Sequence, residues 1–254
     1  MSRWLSVAAV AIYAFLHMPL AVLAIFSFNR SRFTRWEGWS LAWYRAIGDD
    51  PRLVEGALNS LWIALTATLA ATAIGTLAAY AMRRRPARLV NASLRVSLVT
   101  PEIVTGVSLL AFFQWTFRYL DVRLGMATVI LAHVAFSIAY VVLVIEARLK
   151  TLDPSLEEAA LDLGASPWQA FRTVTLPLLG PGIAAAALLA FTVSFDDYVI
   201  TSLVAGVDSE TLPMVIYGMA RRGVSPVVNA ISALIVVAIG VLIVAAESLQ
   251  GERR

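Results

Sequence analysis

The chain of 254 residues is 59% hydrophobic and 15% charged, with a mean hydropathy of +0.78. That charged share lies well below the roughly 25% of soluble chains, which excludes an ordinary soluble domain and leaves a polytopic membrane protein. There is no cysteine, so disulfides, thiol catalysis and zinc–thiolate sites are excluded, and the net charge of +3 informs only through where the bases lie.

A membrane-crossing helix needs about 20 largely apolar residues. The first stretch that qualifies spans residues 5–28 and contains His17 and Pro19. It lacks a small-residue cleavage pattern and reads as a retained helix rather than a removed signal. A lone His beside a Pro inside a span is ordinarily a packed or hydrogen-bonded group. Residues 29–57 then form an outer loop rich in aromatic side chains, among them Trp36, Trp39, Trp43 and Tyr44. These suit an interfacial aromatic belt, and equally a functional surface on the outer face.

The second predicted span, residues 58–82, is rich in Ala, Thr and Gly, with Gly75 placed for close helix contact. Arg83-Arg84-Arg85 follows without an acid and marks a cytoplasmic end. The third span, residues 97–117, contains Pro101-Glu102, and the fourth, residues 124–145, has His133 near its middle.

Residues 153–177 interrupt the apolar runs and read as a polar helix–Gly–helix hairpin. Asp153 can cap a helix that starts at Pro154, with Glu157 and Glu158 in its first turn, where acids suit the helix dipole. Leu156, Ala159, Ala160 and Leu163 recur at helical spacing and make one apolar face. Gly164 is placed to leave the helix in a left-handed conformation. Ser166 and Pro167 can start a second helix, with Trp168 and Phe171 available for packing, and Leu176-Pro177 is expected to end it. The fifth span, residues 178–204, carries Asp196-Asp197, and the sixth, residues 227–246, is almost featureless. Six spans put both ends of the chain on one side, and the Lys and Arg distribution leans slightly toward that side being cytoplasmic.

Glu158-Ala159-Ala160, then Gly164, then Val174-x-Leu176-Pro177 resembles the EAA loop of bacterial ABC importer permeases; only Val174, where that family favours Ile, departs from it. The resemblance implies that the hairpin docks into a groove on a cytoplasmic ATPase subunit. It assigns ATPase coupling to Glu158, Ala159, Ala160, Asp162, Gly164, Leu176 and Pro177. Read without it, the hairpin is an amphipathic link between two spans.

No G-x-x-x-x-G-K-[ST] occurs, so this chain carries no Walker-type phosphate cradle. His17 and His133 lie in different predicted spans without metal-ligand spacing, and no G-x-S-x-G elbow is present. The informative residues are acids at membrane depth: Glu102, Asp196 and Asp197, with no Lys or Arg inside a predicted span to neutralise them. Successive helix residues diverge by about 100°, so Asp196 and Asp197 cannot face the same way. One can face a transport path while the other bonds a neighbouring helix or caps a broken segment; both can also be caps. Unpartnered acids favour a cationic substrate, and Trp115, Phe195 and Tyr198 offer cation–π contacts.

The stretch from Leu189 to Gly206, Thr211-Leu-Pro-Met214, Thr100-Pro-Glu-Ile-Val-Thr-Gly106 and Leu131-Ala-His-Val-Ala-Phe136 are similar to spermidine/putrescine ABC permeases. The chain looks like the second membrane subunit of such a pair. Glu102 stands where related permeases often carry Asp. The resemblance implies an all-α type I importer (MetI-like) permease fold of six transmembrane helices with a cytoplasmic hairpin, residues 1–254 being a single permease domain. It implies a homologous second permease, two ATPase subunits that hold ATP and Mg, an extracytoplasmic polyamine-binding protein, and no cofactor or nucleic acid on this chain. The protein would be multi-pass in the bacterial inner membrane, both termini cytoplasmic, working by alternating access along Glu102, Trp115, Asp196, Asp197 and Tyr198. The same machinery for another small organic solute is the first alternative. An ion-coupled secondary carrier is a second, and an intramembrane enzyme lacks a catalytic pair.

Overall fold

Lipid offers no water to unpaired backbone groups, so a chain this apolar must close its hydrogen bonds inside helices. A computed structural model describes residues 3–33, 35–118, 123–223 and 226–251. The described residues are helical apart from turns and one isolated bridge between Asn29 and Trp39. Arg253 and Arg254, two of the bases counted toward a cytoplasmic side, lie outside the described residues.

In chain order the helices are α1 (Arg3–Phe26), α2 (Ala42–Asp49), α3 (Pro51–Arg84), α4 (Arg88–Val99), α5 (Glu102–Phe117), α6 (Met126–Leu149), α7 (Ser155–Asp162), α8 (Pro167–Ala170), α9 (Leu176–Asp196), α10 (Val199–Val204), α11 (Leu212–Arg221) and α12 (Pro226–Gly251). A π-turn over Phe171–Thr175 joins α8 to α9. Among the described residues four helical runs are long and apolar enough to cross a membrane: α1, α3, α6 and the run Pro167–Asp196. The pair α4–α5 makes a fifth if it is one span, and α12 contributes a shorter apolar stretch, Pro226–Val241.

Three expectations from the sequence need correction. The third span is not continuous: α4 and α5 meet at 118° across Thr100-Pro101. Proline removes a backbone donor and disfavours helical dihedrals at the preceding residue, and here Thr100 is extended at φ −72° and ψ 130°. The fifth span also breaks, at Asp197 (ψ 125°) and Tyr198, leaving α10 as a separate segment. Conversely, Leu176-Pro177 does not end the second hairpin helix, which continues into α9. The wider π-turn just before Pro177 takes up the missing donor and the bulk of the ring.

The chain divides into two compact units, residues 1–55 with 215–254 and residues 56–214. In the first, α12 packs on α1 and α2. The connection after α1 is ordered by Asn29, whose Oδ1 accepts from Glu37 N–H (2.9 Å) and whose carbonyl accepts from Trp43 Nε1–H (2.7 Å). Phe28, Trp36, Trp39 and Tyr44 close over this turn as tilted and edge-on rings.

In the second unit α6 is the most enclosed of the long helices, and its packing along α9 is more extensive than that of any other helix pair. Small residues set the spacing: Ala71, Ala79, Ala186 and Ala190 pack with Val141, Val142, Ile145 and Leu179. A Cβ on Gly75 would stand 2.6 Å from Val141 Cγ1, so α3 and α6 approach as closely as glycine allows. A second apolar cluster, with Ile63, Phe113, Val129, Phe136, Ile200 and Val204, joins α5 and α10 to α6.

Candidate functional site

The hairpin is built from its caps. Asp153 Oδ1 accepts the Ser155 N–H (2.9 Å), and the hydrogen bonds from Ser155 hold its carboxyl below the ordinary Asp range. At the far end of α7, Ala165 N–H donates to Ala160 O (3.0 Å) and Gly164 N–H to Leu161 O (2.9 Å). That is the paired closure that requires a left-handed residue, and Gly164 has φ +88°. Ser166 and Gln169 then cap α8 reciprocally: Ser166 N–H donates to Gln169 Oε1 (2.7 Å) and Gln169 N–H to Ser166 Oγ (3.3 Å).

The apolar face predicted for α7 is not buried within this chain. Leu163 is 89% exposed and Trp168 60%, with Leu156 also open. Of the coupling residues named from the sequence, Glu158, Ala159, Asp162, Gly164 and Pro177 are exposed, and Ala160 and Leu176 half-buried. What anchors the hairpin is a residue that sequence reasoning treated only as a dipole partner, Glu157. It is buried against α3, where its carboxylate accepts from Tyr80 Oη (2.5 Å) and pairs with Arg84, with Arg83 at 3.9 Å. Phe171 packs on Tyr80 as a tilted ring pair with centroids 4.3 Å apart, fixing the second arm to the same helix.

Burial alone would raise the Glu157 pKa, but donation from Tyr80 and Arg84 and the Arg84 charge outweigh it, so the net shift is downward. A carboxyl depressed in the folded state adds stability above its unfolded pKa and loses it as pH falls through the folded one. Protection of α7 amides from hydrogen exchange, relative to the intrinsic rate at each pH, is therefore expected to be high at neutral pH and to fall as pH drops below the ordinary Glu range; protection that does not change with pH would contradict the anchor.

The second place of interest is the break between α9 and α10. Asp196 and Asp197 diverge: Asp196 is exposed, whereas Asp197 is buried. Asp197 caps α10, its Oδ1 accepting from Ile200 N–H (3.3 Å) and its Oδ2 from Thr201 N–H (2.7 Å) and Thr201 Oγ1 (2.7 Å). His133 reaches in from α6, only 1% exposed. Its Nε2 lies 2.9 Å from Thr201 Oγ1 and 3.5 Å from Asp197 Oδ2, and its Nδ1 lies 2.7 Å from Ser194 Oγ. Sequence reading saw His133 as an isolated imidazole; the i, i+4 pair Asp197 and Thr201 was the one local signal for the cap.

Glu102 is exposed in the first turn of α5. Gly106, one turn on, lies so close to α10 that a Cβ there would be 3.3 Å from Ile200 Cα. Farther along, α5 and α10 share one apolar cluster that holds Phe113, Ile200 and Val204. Trp115 stands apart from Glu102: thirteen residues along α5 separate the two, about 20 Å. Tyr198 is half-buried at the break itself. Among the described residues no group of His, Asp and Glu is arranged to hold a metal ion.

A family model described as "Binding-protein-dependent transport system inner membrane component" matches residues 71–251. The chain is 41% identical over 248 residues to the putrescine transport system permease protein PotI of Escherichia coli (strain K12), covering 95% of this chain and 88% of the relative. It is 38% identical over 247 residues to the spermidine/putrescine transport system permease protein PotC of the same organism, covering 96% and 92%. Among solved structures it is similar to a chain of a bacterial alginate ABC transporter in complex with a pentasaccharide-bound periplasmic protein, with a TM-score of 0.73 at 15% identity over 96% of this chain and 91% of that one. Likeness at that identity concerns the fold, which is that of the type I importer permeases.

Proposed function

This chain belongs to the family of binding-protein-dependent transport system inner membrane components, and from that premise we propose that it is the second permease subunit of an ATP-driven polyamine importer. It is a multi-pass inner-membrane transport permease. The observation that carries the cargo is near-full-length identity to both a putrescine and a spermidine/putrescine permease. The exposed carboxylates Glu102 and Asp196, without a cationic partner in their spans, support it chemically.

In this reading a homologous permease pairs with this one, two ATPase subunits bind ATP and Mg, and a binding protein delivers the polyamine from outside. Both termini face the cytoplasm. This chain binds no cofactor. The exposed face of Leu156, Leu163 and Trp168 docks on an ATPase, with Glu158, Ala159, Ala160, Asp162 and Gly164 shaping that contact and Leu176-Pro177 leading into α9. Because α6 enters the hairpin and α9 leaves it, closure of the ATPases moves both helices, and with them the break that bears Asp196. Asp196, Glu102 and Tyr198 line the path; Asp197 holds its frame, and Trp115 lies farther along the same helix as Glu102.

The test is ATP hydrolysis by the assembly in lipid, with polyamine-loaded against unloaded binding protein. Stimulation by putrescine or spermidine is expected; stimulation only by another solute would keep the permease and discard the cargo. Uptake that persists in a complex unable to bind ATP would instead identify an ion-coupled carrier. Within this frame Asp196→Asn is expected to lower polyamine uptake about tenfold in fully assembled complexes, from loss of one desolvated charge contact. Wild-type uptake by that variant would remove Asp196 from the path.

A further inference from the structure

We propose that His133 is a positioning residue of the transport path: through Thr201 it locks the break between α9 and α10, so that Asp197 is committed to the fold and Asp196 is the carboxylate left for the cargo. The proposal rests on the importer reading for its cargo but on local geometry for its mechanism.

The direction of each hydrogen bond follows from counting protons. An ionised carboxylate only accepts, so Thr201 Oγ1 must donate its single proton to Asp197 Oδ2 at 2.7 Å. The same oxygen can then only accept from His133 Nε2–H, at 2.9 Å. Nε2 being the donor, Nδ1 is free to accept from Ser194 Oγ–H, at 2.7 Å. The result is a directed chain, Ser194 to His133 to Thr201 to Asp197, in which every buried polar atom is used. It crosses the break: Ser194 is in α9, Thr201 is in α10, and the imidazole that joins them belongs to α6.

No regular backbone hydrogen bond holds α10 to α9, because Asp197 and Tyr198 are not in a common helix. What remains is the Asp197 cap, the imidazole bridge, the hydrogen bond from Thr128 Oγ1 to Val204 O (2.7 Å) and packing of Ile200 and Val204 in the cluster beneath. The Thr128 bond and the packing hold the body of α10 to α6, while the bridge acts at the first turn of α10 and also reaches α9 through Ser194. Its Nε2 arm is the one that matters, since it alone touches the residue that orients Asp197.

The two arms can be separated. Glutamine places an amide nitrogen near the position of Nε2 and keeps donation to Thr201, whereas asparagine places its polar atoms near Nδ1 and serves only Ser194. In reconstituted complexes isolated in wild-type yield, His133→Asn is expected to raise the KM for putrescine uptake about tenfold, the effect of one buried bond lost. Thr201→Val, which keeps the shape and removes the hydroxyl, should behave likewise. His133→Gln should stay within about twofold of wild type. Amide exchange of residues 199–204, which needs no cargo, should be faster in His133→Asn and Thr201→Val and unchanged in His133→Gln. Equal behaviour of the Asn and Gln variants, in either measurement, would overturn the proposal. Absence of putrescine uptake by the wild-type complex would sink the cargo reading instead, and the exchange comparison would still decide the role of His133.

Discussion

Replacement of Glu157 by alanine is expected to uncouple transport from ATP hydrolysis while leaving the spans inserted. The carboxylate is the point at which α7 is tied to α3, and its removal leaves Arg84 and the Tyr80 hydroxyl facing a void. Arg84 is about a third exposed and can turn to water, so the cost is about 1–3 kcal/mol rather than that of a sealed ion pair. That cost falls almost wholly on the hairpin, an element of eight residues plus one turn that is too short to hold its place by helix propensity. Phe171 against Tyr80 would remain, so the second arm stays docked while α7 swings free. The expected result is at least tenfold lower uptake with faster exchange or proteolysis confined to residues 155–163. Glu157→Gln, which still accepts from Tyr80 but loses the charge, should fall between. Normal uptake by Glu157→Ala would mean that the partner subunits, not α3, hold the hairpin.

Gly206→Ala should be the most damaging single methyl in the second unit. A Cβ at Gly206 would stand 1.9 Å from Leu124 O and 2.9 Å from Gly125 Cα. Both obstacles are backbone, so no rotamer change relieves them, and the segment after α10 must lift away from the start of α6. Lifting it would also strain the hydrogen bond from Thr128 Oγ1 to Val204 O (2.7 Å) and open the cluster around Val129 and Val204. Overpacking usually costs about 1–3 kcal/mol, and the rigid contact here puts the effect at or above the upper end. Loss of folded protein in the membrane is expected. Gly240→Ala is the control, because nothing lies within 4 Å of its added Cβ and alanine favours a helix interior by about 0.5–1 kcal/mol. Equal yield of the two variants would refute the close-contact account.

Local chemistry made much of this protein legible in one dimension. Apolar length and the scarcity of charge settled the class, because burying an unpaired backbone or a charge in lipid is prohibitive. The caps of the hairpin at Asp153, Gly164 and Ser166 were readable for the same reason: each depends on residues within four positions of itself. Helix geometry led to the expectation that Asp196 and Asp197 diverge; in the structure the helix ends between them, and the extended Asp197 turns its side chain inward. Which of the two is buried did not follow from the sequence, since that depends on an imidazole 64 positions back in α6. Nor did the sequence single out Glu157 over Glu158; neighbouring acids in one helical turn become different only when α3 arrives with Tyr80 and Arg84. The continuation of the helix through Pro177 likewise required a π-turn whose stability comes from Phe171 and Thr175 being buried against their neighbours. Short-range hydrogen bonding is written in adjacent letters, whereas the pairing of buried charges is decided by which helix packs opposite, and that is a property of the tertiary structure.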